Sequence, residues 1–400
     1  MALRSAGYSA IVARMLAARG VASAAEADAF LTPDLARDWL DPLLVCGMAE
    51  AAEAVADAVH AGRRIVVFGD FGLDGISAAA LAVRGLRAMG ADAAPMVPHR
   101  FREGYGLSVA SLERVFELSP ELVVTVDCGI SSAAEAHVLR ERGVSLVVTD
   151  HHEPGDEVPR GVPVADPRLH PDGAAAPSAG LAGAGVALKL VQAVGGLLGS
   201  PGEWRTLTDL ATLGTVADVV PIAGENRALV ADGLARMRSA PRAGIAALAQ
   251  VAGIETRVMR ADNLAYALAP RLNAPGRVGD PDDALALLLA DDPDSAQCLA
   301  ERLDADNRTR QALEAGLLEA AGEQAAQTFA PGDRALVLAG EGWHEGVKGI
   351  VASRLAAQYG VPALLFCIED GVAKGSGRSG GAVDLHGGGA AAAGLLPRFR

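Results

Sequence analysis

Three short apolar runs in the first half of the chain end abruptly in polar side chains. The runs cover residues 65–68, 122–126 and 146–149, and acids or histidines follow each of them. Runs of this length closed by polar residues are typical of buried strands in a parallel sheet. Helical patterns separate the runs, at residues 76–89, 109–118 and 132–142. This alternation predicts an α/β protein built on a doubly wound parallel sheet.

Helical patterns also open the chain and fill its middle. Ser23 and Glu26 form a capping-box pattern, and an amphipathic helix over 48–60 leads into the first apolar run. Further elements are predicted as a strand at 162–166 and helices at 186–194 and 207–213. A strand, helix, strand pattern returns after residue 331. We predict four regions: an N-terminal helical segment (1–45), a main α/β domain (46–225), a helical connector (226–330) and a second, smaller α/β domain (331–400).

The composition is that of a globular chain without a membrane segment. Half of the 400 residues are hydrophobic and 21% are charged, yet no segment has eighteen uninterrupted apolar residues. The four cysteines lie far apart without a Cys-x-x-Cys spacing, so neither a zinc knuckle nor a disulfide framework is indicated. These features predict a protein of the reducing cytoplasm.

The net charge of −14 argues against a nucleic-acid partner, because phosphate binding usually needs a basic surface. Global charge nevertheless says little about a local groove, and an acidic metal site would contribute several of the negative charges itself. Two compact basic segments are present, at residues 99–102 and 270–277. Each is compatible with a phosphate contact or with a solvated loop, so charge alone leaves the partner open.

Acids and imidazoles follow the predicted strands at positions where a parallel sheet would gather them. They are Asp70, Asp74, Asp127, His151, His152 and, after a later helix, Asp218. Ligands of open α/β sheets bind at the carboxyl ends of the strands. Carboxylate and imidazole groups suit Mn²⁺ or Mg²⁺, and two such ions can activate water and clamp a phosphate ester. The pattern predicts metal-assisted phosphoester hydrolysis. The alternative is a structural network of buried carboxylates paired with arginine.

An ordered series of motifs resembles a known family. Asp150-His151-His152, with the stretches at 69–75, 126–130 and 214–221, resembles the DHH phosphoesterases, and specifically the RecJ-type single-stranded-DNA exonucleases. Further stretches that resemble the family lie at 104–107, 225–227, 270–274, 276–277, 343–347 and 374–379. The resemblance runs from about residue 11 to the end. It implies a DHH catalytic domain, a helical connector and a DHHA1-like domain that together enclose one DNA strand and degrade it from the 5′ end.

The resemblance also implies roles for individual residues. The metal ligands would be Asp74, Asp127, His151 and Asp218, with Asp127 bridging two ions. Asp70 would be a further ligand or would orient one, and His152 would assist the phosphoryl group. The residues that would line the DNA strand are Arg271, Asn273, Arg277, Ser376 and Arg378, together with His344 in an undefined role. Arginine suits phosphate because its planar guanidinium offers two parallel donors.

The first motif departs from the family pattern at one position. The family has Asp-Tyr-Asp-x-Asp-Gly, whereas residues 70–75 here are Asp-Phe-Gly-Leu-Asp-Gly, so Gly72 replaces the middle acid. In the family that acid binds one of two metal ions, and glycine has no side chain that could do so. We expect one ion to be held weakly unless Asp70 or water substitutes. Activity should then be orders of magnitude below that of Gly72→Asp.

The end of the chain departs from the family pattern as well. After stretches matching at 383–386 and 395–399, the family continues into a Gly-Gly-His motif that completes the phosphate-binding face, whereas this chain ends at Arg400. Three glycines at 387–389 come too early and lack the histidine. We expect an incomplete, C-terminally truncated second domain without the family's nucleic-acid-binding OB-type domain. DNA affinity should be weak and strongly salt-dependent.

Three functions remain open at this point. The first is a 5′→3′ exonuclease acting on single-stranded DNA in repair and recombination, impaired here by Gly72 and by truncation. The second is a DHH phosphatase acting on pyrophosphate or short oligonucleotides. The third is a catalytically inactive DNA-binding relative. The choice between Mn²⁺ and Mg²⁺, and the participation of a helicase or a single-strand-binding protein as partner, also stay open.

Overall fold

A computed structural model of the chain describes residues 2–155, 157–381 and 383–391. The chain divides into two compact units. The first comprises Met1–Pro275 with Asp280–Asp304, and the second comprises Gly276–Gly279 with Ala305–Arg400. The division falls inside the stretch predicted as a helical connector. The sequence match at 395–399 lies outside the described residues.

The first unit is built on a five-stranded sheet. Its strands are β1 (Arg64–Gly69), β2 (Asp92–Met96), β3 (Leu122–Val126), β4 (Ser145–Thr149) and β5 (Val164–Ala165). They lie in the order β2-β1-β3-β4-β5, and every neighbouring pair is parallel. The order reverses between β1 and β3, so the doubly wound parallel sheet predicted from the sequence is confirmed.

Helices cover both faces of this sheet because the central strands are apolar on both faces. Ile65 and Val67 belong to the larger apolar core, whereas Val66 and Phe68 belong to a second core on the opposite face. A strand that alternates between two buried faces must be apolar at every position, which is why the runs are continuous. The sheet is therefore a rigid central layer, and its carboxyl-terminal edge carries the polar residues that follow the strands.

The helices follow in chain order. They are α1 (Ala2–Ser5), α2 (Ala10–Ala17), α3 (Ala24–Leu31), α4 (Leu35–Asp38), α5 (Met48–His60), α6 (Leu73–Ala88), α7 (Val109–Glu117), α8 (Ala133–Glu141), α9 (Gly183–Leu197), α10 (Thr208–Ala217), α11 (Gly224–Ser239), α12 (Ala243–Val251), α13 (Ala261–Asn263), α14 (Ala269–Leu272), α15 (Pro275–Val278), α16 (Pro281–Leu289), α17 (Pro293–Thr328), α18 (Lys348–Tyr359) and α19 (Leu385–Ala391). A π-helical turn, Leu264–Leu268, lies between α13 and α14. Among the described helices, none combines the length and apolarity needed to cross a membrane.

The second unit contains a three-stranded sheet. Its strands are β6 (Leu336–Glu341), β7 (Ala363–Glu369) and β8 (Val372–Arg378). β6 and β7 are parallel, and β8 pairs with β7 antiparallel. One face of the sheet packs on α18 and on the end of α17 through Leu338, Leu365 and Leu355. The second, smaller α/β unit is thus confirmed.

Individual elements agree with the sequence pattern, with three corrections. α5 has the predicted bounds, and Ser23 and Glu26 form the predicted capping box. The helix expected to end near 213 continues to Ala217, because Gly214 lies inside the helix, where the absence of a side chain lets it approach Asp74 and Ala184 closely. The helix expected at 186–194 extends from Gly183 to Leu197. β2 and β8 were not predicted, since one contains a proline and the other is rich in glycine.

Candidate metal centre

The candidate site lies at the carboxyl-terminal edge of the first sheet, around the point where the strand order reverses. Asp70 directly follows β1, and Asp127 directly follows β3. His151 and His152 come shortly after β4. Asp74 lies in the first turn of α6, and α10 ends beside Asp218. This position is where doubly wound sheets bind their ligands.

The acids and histidines predicted from the sequence converge here. His151 Nε2 lies 3.0 Å from Asp127 Oδ1, 3.8 Å from Asp74 Oδ2 and 3.9 Å from Asp218 Oδ2. Two triads have ligand atoms within 4.8 Å of one another: Asp74, His151 and Asp218, and Asp127, His151 and His152. His151 is common to both triads. We call these five residues the cation centre.

Backbone groups of α9 hold one acid of the centre in place. The first N–H groups of α9 donate to Asp74, from Gly183 to Oδ2 at 2.7 Å and from Ala184 to Oδ1 at 2.9 Å. The start of α9 also lies close to a second acid, since a Cβ atom on Gly183 would lie 2.4 Å from Asp127 Oδ1. A Cβ on Gly214 would likewise lie 2.4 Å from Asp74 Oδ1. Both positions therefore require glycine for steric reasons.

The cation centre has the chemistry of a metal-binding group. Asp127 Oδ1 and His151 Nε2 are buried 3.0 Å apart, and among the described residues neither atom makes a hydrogen bond of acceptable geometry. Burial, and next the charge of Asp218, raise the pKa of Asp74 to about 7. Burial and the charge of Asp74 raise the pKa of Asp127 well above its ordinary value. A divalent cation would satisfy both orphaned atoms and neutralise the crowded carboxylates, so the residues fit such an ion.

The two adjacent histidines have different charge states. Burial, and next the charge on His152, lower the pKa of His151 to about 4, so its imidazole is neutral and free to act as a ligand. His152 Nδ1 lies 2.7 Å from Asp150 Oδ1, and this hydrogen bond raises the pKa of His152 to about 9. Burial alone would raise the pKa of Asp150, but the bond from His152 brings it below the ordinary value. His152 is therefore a cation at neutral pH.

Asp70 lies beside the centre but outside both triads. Its oxygens accept backbone N–H groups from Gly72 at 3.2 Å and from Gly106 at 3.1 Å, while burial raises its pKa. Gly72 precedes α6 in an extended conformation, and a Cβ there would meet only Asp70 Oδ2, at 3.5 Å. An aspartate at position 72 would thus fit sterically. The structure gives Asp70 the surroundings of an orienting residue, and its role as a ligand stays a prediction.

Two of the predicted DNA-contacting residues are engaged within the first unit. Arg271 Nε donates to Asp304 Oδ1 at 2.9 Å, and its Nη1 donates to the carbonyl of Ala267. Asn273 Oδ1 accepts the N–H of Leu73 at 3.0 Å, at the first residue of α6. Asn273 therefore fixes the turn that carries Asp74. DNA contact by either residue stays a prediction.

The other four predicted DNA-contacting residues belong to the second unit. Arg277 Nη1 donates to the carbonyl of Gly346 at 3.1 Å, and His344 Nδ1 accepts the N–H of the same residue at 3.1 Å. Arg378 Nη1 donates to Ser376 Oγ at 3.2 Å. Gly349 lies in the first turn of α18, and a Cβ atom added there would be 3.1 Å from Arg378 Nη2 and 3.1 Å from Ser376 Oγ. The four residues thus form two local pairs.

Some parts of the site were missed by sequence reasoning. The N–H donors of Gly183 and Ala184 were not predicted, because backbone groups leave no sequence signature beyond the glycines themselves. A cation–aromatic group was also missed: the Arg100 guanidinium lies 5.1 Å from the Phe71 ring centroid and 5.3 Å from that of Tyr105. The sequence feature that could have indicated this group is the basic segment at 99–102, which is interleaved with aromatic residues. Gly106 connects this group to Asp70.

Comparison with known proteins agrees with this geometry. Residues 64–215 match the DHH family, N-terminal domain. The single-stranded-DNA-specific exonuclease RecJ of Dickeya dadantii is 40% identical over 386 residues, which cover 92% of this chain and 66% of that protein. RecJ of Bacillus subtilis is 37% identical over 92% of this chain and 46% of that protein. The chain therefore spans roughly half to two thirds of the length of these curated relatives.

Solved structures give the same result. A crystal structure of exonuclease RecJ bound to manganese has a TM-score of 0.78 at 39% identity, and the match covers 90% of this chain and 89% of that one. RecJ from Thermus thermophilus in complex with Mn²⁺ has a TM-score of 0.82 at 37% identity, covering 97% of this chain and 54% of that one. The fold and the site together define a protein of the DHH class. Within that class, the chain belongs to the RecJ family.

Proposed function

We propose that the chain is a divalent-cation-dependent exonuclease that hydrolyses the phosphodiester bonds of single-stranded DNA. The observation that carries the proposal is the pair of buried, unpartnered atoms, Asp127 Oδ1 and His151 Nε2, among crowded carboxylates in the described structure. Membership of the RecJ family supports the same activity, since the relatives of this chain are named single-stranded-DNA-specific exonucleases. Mn²⁺ or Mg²⁺ is the cation we propose, because RecJ from Thermus thermophilus was crystallised with each.

Each residue of the cation centre has a distinct role in this proposal. Asp74, His151 and Asp218 would hold one cation, and Asp127 would be shared with a second. Bound cations would polarise a phosphoryl oxygen and lower the pKa of the attacking water. His152 is protonated at neutral pH and anchored by Asp150, so it can donate a hydrogen bond to a phosphoryl oxygen or a proton to the leaving oxygen.

Two surfaces support a DNA strand as the substrate. Arg100, Phe71 and Tyr105 form the cation–aromatic group beside Asp70, and aromatic rings can stack on bases whatever the sequence. In the second unit, Ser376 and Arg378 lie at the first turn of α18, where the helix dipole favours an anion such as phosphate. These contacts favour an oligonucleotide over a small phosphate ester.

Gly72 limits the activity that we propose. No side chain projects from position 72, so the second cation lacks one carboxylate that the family motif supplies. Asp70 does not replace it directly in the described structure, because Asp70 lies outside both triads. The missing carboxylate at position 72 supports a second candidate function, in which the chain binds DNA with little or no hydrolysis.

We further propose that the chain degrades single-stranded DNA in the 5′→3′ direction, in the cytoplasm, during DNA repair and recombination. A helicase would supply the single strand, and a single-strand-binding protein would present it. The net charge of −14 supports a need for such partners, since the chain itself attracts DNA weakly.

The test measures nucleotide release from a 5′-labelled single strand in Mn²⁺, comparing the natural chain with Gly72→Asp. We expect at least about 100-fold faster release by Gly72→Asp, because a cation at a hydrolytic centre contributes several kcal/mol. Gly72→Asn is the matched control, since it adds the same bulk and the same helix-capping ability without the charge. An unchanged rate in Gly72→Asp would contradict the assignment of Gly72.

Further outcomes separate the other functions. Release of mononucleotides from long single strands by the natural chain or by Gly72→Asp supports the exonuclease. Hydrolysis confined to pyrophosphate or dinucleotides would instead support the small-substrate phosphatase. DNA binding without release by either protein would support the binding-only relative.

A further inference from the structure

Asn226 is a buried amide that touches two segments of the cation centre without belonging to it. It lies in the first turn of α11, within the motif Glu225-Asn226-Arg227, and is only 3% exposed. Its Nδ2 donates to the carbonyl of Pro221 at 3.0 Å and to the carbonyl of Gly180 at 2.6 Å. One amide therefore connects the turn after α10 to the segment before α9.

The turn after α10 is the one that presents Asp218. Asp218 ends α10, and the next residue, Val219, has a φ of +61° with its side chain 86% exposed. A β-branched residue is strained in the left-handed region and persists there only when the surroundings impose it. Exposed Val219 gains little from packing. The bond from Asn226 to Pro221 is thus a restraint that holds the strained turn closed.

The second bond of Asn226 acts on the other side of the centre. Gly180 lies three residues before Gly183, whose N–H donates to Asp74. The same carboxamide therefore constrains both the segment that anchors Asp74 and the turn that carries Asp218. These two acids form one triad with His151.

The neighbours of Asn226 in the motif bind other elements. Glu225 accepts hydrogen bonds from Ser178, Leu40 and Lys189. Arg227 donates to the carbonyl of Phe30 and lies over its ring, 3.9 Å from the centroid. Arg227 is thus an equally anchored neighbour that does not contact the turn at 218–221, which makes it a matched control.

We propose that Asn226 is a positioning residue that sets the distance between Asp218 and Asp74, and so determines how tightly their triad binds a divalent cation. This inference rests on the proposed cation centre and extends it to a residue that no cation touches. Without the carboxamide, the Pro221 carbonyl keeps only the local bond from the Ala223 N–H, so the tie between this turn and Gly180 is lost and the strained turn at Val219 can relax. Asp218 then leaves the position that the triad requires.

The test is a Mn²⁺ titration of the full chain, with free Mn²⁺ followed by electron paramagnetic resonance, so that no activity is needed. Asn226→Leu keeps the volume of the side chain and removes both donors. We expect its Mn²⁺ dissociation constant to rise by about tenfold or more, as for other residues that orient a metal ligand. Arg227→Gln should keep the affinity of the natural chain. Asn226→Ala serves in the same comparison if Asn226→Leu does not fold.

A double-mutant cycle with Asp218→Asn distinguishes positioning from a general loss of stability. If Asn226 acts through Asp218, the double variant should bind Mn²⁺ no more weakly than Asp218→Asn alone. Additive losses, or an unchanged affinity in Asn226→Leu, would overturn the inference while the cation centre stands. Absence of Mn²⁺ binding by the natural chain would overturn the proposed function together with it.

Discussion

His151 and His152 are adjacent in sequence, yet their surroundings give them opposite charge states. His151 is buried among carboxylates and stays neutral, whereas Asp150 keeps His152 protonated. A neutral imidazole can bind a cation, and a protonated one can donate to a phosphoryl oxygen. In the proposed mechanism the pair would combine two functions that a single histidine could not perform together.

Cation binding by this centre must compete with protons. The pKa of Asp74 is raised to about 7, so the cation-free folded chain holds a proton that the unfolded chain has already lost. The contribution of Asp74 to the stability of the cation-free form therefore falls as the pH rises from about 4 through about 7. Because Mn²⁺ needs the ionised carboxylate, we expect the Mn²⁺-induced increase in melting temperature to be larger at about pH 8 than at about pH 6. Differential scanning fluorimetry measures both values.

Asp127→Asn is the control for this pH dependence. It removes the carboxylate that both cations would share, so the Mn²⁺-induced increase should largely disappear at both pH values. An equal increase at both pH values in the natural chain would contradict proton competition at the centre.

At the scale of residues, the sequence predicted the acids and imidazoles that converge, because each lies within a few residues of the end of an apolar strand or of a helix. It did not predict what holds them. The N–H of Gly183 and its acceptor Asp74 are 109 residues apart, and Leu73 and Asn273 are 200 residues apart. Such contacts follow from the packing of α9 and α14 against α6, and no local pattern encodes them.

At the scale of elements, the N-terminus of α9 is the anchor of the cation centre. Its first N–H groups carry the positive end of the helix dipole and bind Asp74 directly. We expect Gly183→Ala to reduce Mn²⁺ affinity and nuclease activity by about tenfold or more, because the new Cβ would displace the Asp127 carboxylate. Calorimetric titration with Mn²⁺ measures the affinity.

Gly180→Ala is the matched control for this substitution. It lies in the same segment, its φ is not positive, and a Cβ there would meet nothing within 4 Å. Its affinity should equal that of the natural chain. Equal losses in the two variants would indicate a general effect of the segment and not a steric conflict at Asp127.

A buried ion pair joins α9 to α11. Lys189, fully buried, donates to Glu225 and to the carbonyl of Leu40 at 2.7 Å. We expect Glu225→Gln to lower the free energy of unfolding by about 3–5 kcal/mol, since it leaves a buried ammonium group uncompensated. Urea denaturation measures this. Asp262→Asn, in an exposed pair with Arg260, should change stability by at most about 1 kcal/mol.

The described strands that the sequence did not predict, β2 and β8, are both edge strands. β2 contains Pro95 and β8 contains Gly375 and Gly377, so neither has the β-branched pattern of the central strands. Each is completed by pairing with a neighbour, β2 with β1 and β8 with β7. The formation of an edge strand depends on that pairing more than on the strand propensity of its own residues. The residues of β2 and β8 alone therefore did not predict a strand.

At the scale of the whole molecule, the net charge of −14 means that the proposed binding of DNA would depend on a few local cationic side chains. With about three phosphate contacts, the affinity for a single strand should fall roughly 20-fold between about 50 mM and about 200 mM salt. Fluorescence anisotropy with a labelled oligothymidine measures this slope. A tight complex that is insensitive to salt would contradict the prediction.

Substitution of Arg378 tests which cationic side chains determine how steeply the DNA affinity falls with salt concentration. Arg378→Gln removes one of the predicted phosphate contacts, so the slope should decrease by about 0.7. Arg260→Gln removes an exposed arginine that is 74% accessible and paired with Asp262, and it should leave the slope unchanged.

Both oxygens of Asp74 already accept a backbone N–H, and this bears on ion selectivity in the cell. Each oxygen keeps a further lone pair for a cation, and the two N–H groups fix the direction in which these lone pairs point. Ca²⁺ favours six to eight oxygen ligands and often chelating carboxylates, whereas Mg²⁺ and Mn²⁺ accept fewer ligands in octahedral geometry. The N-terminus of α9 holds Asp74 in one fixed orientation, and a fixed ligand suits the strict octahedral geometry of the smaller ions better than the flexible coordination shell of Ca²⁺.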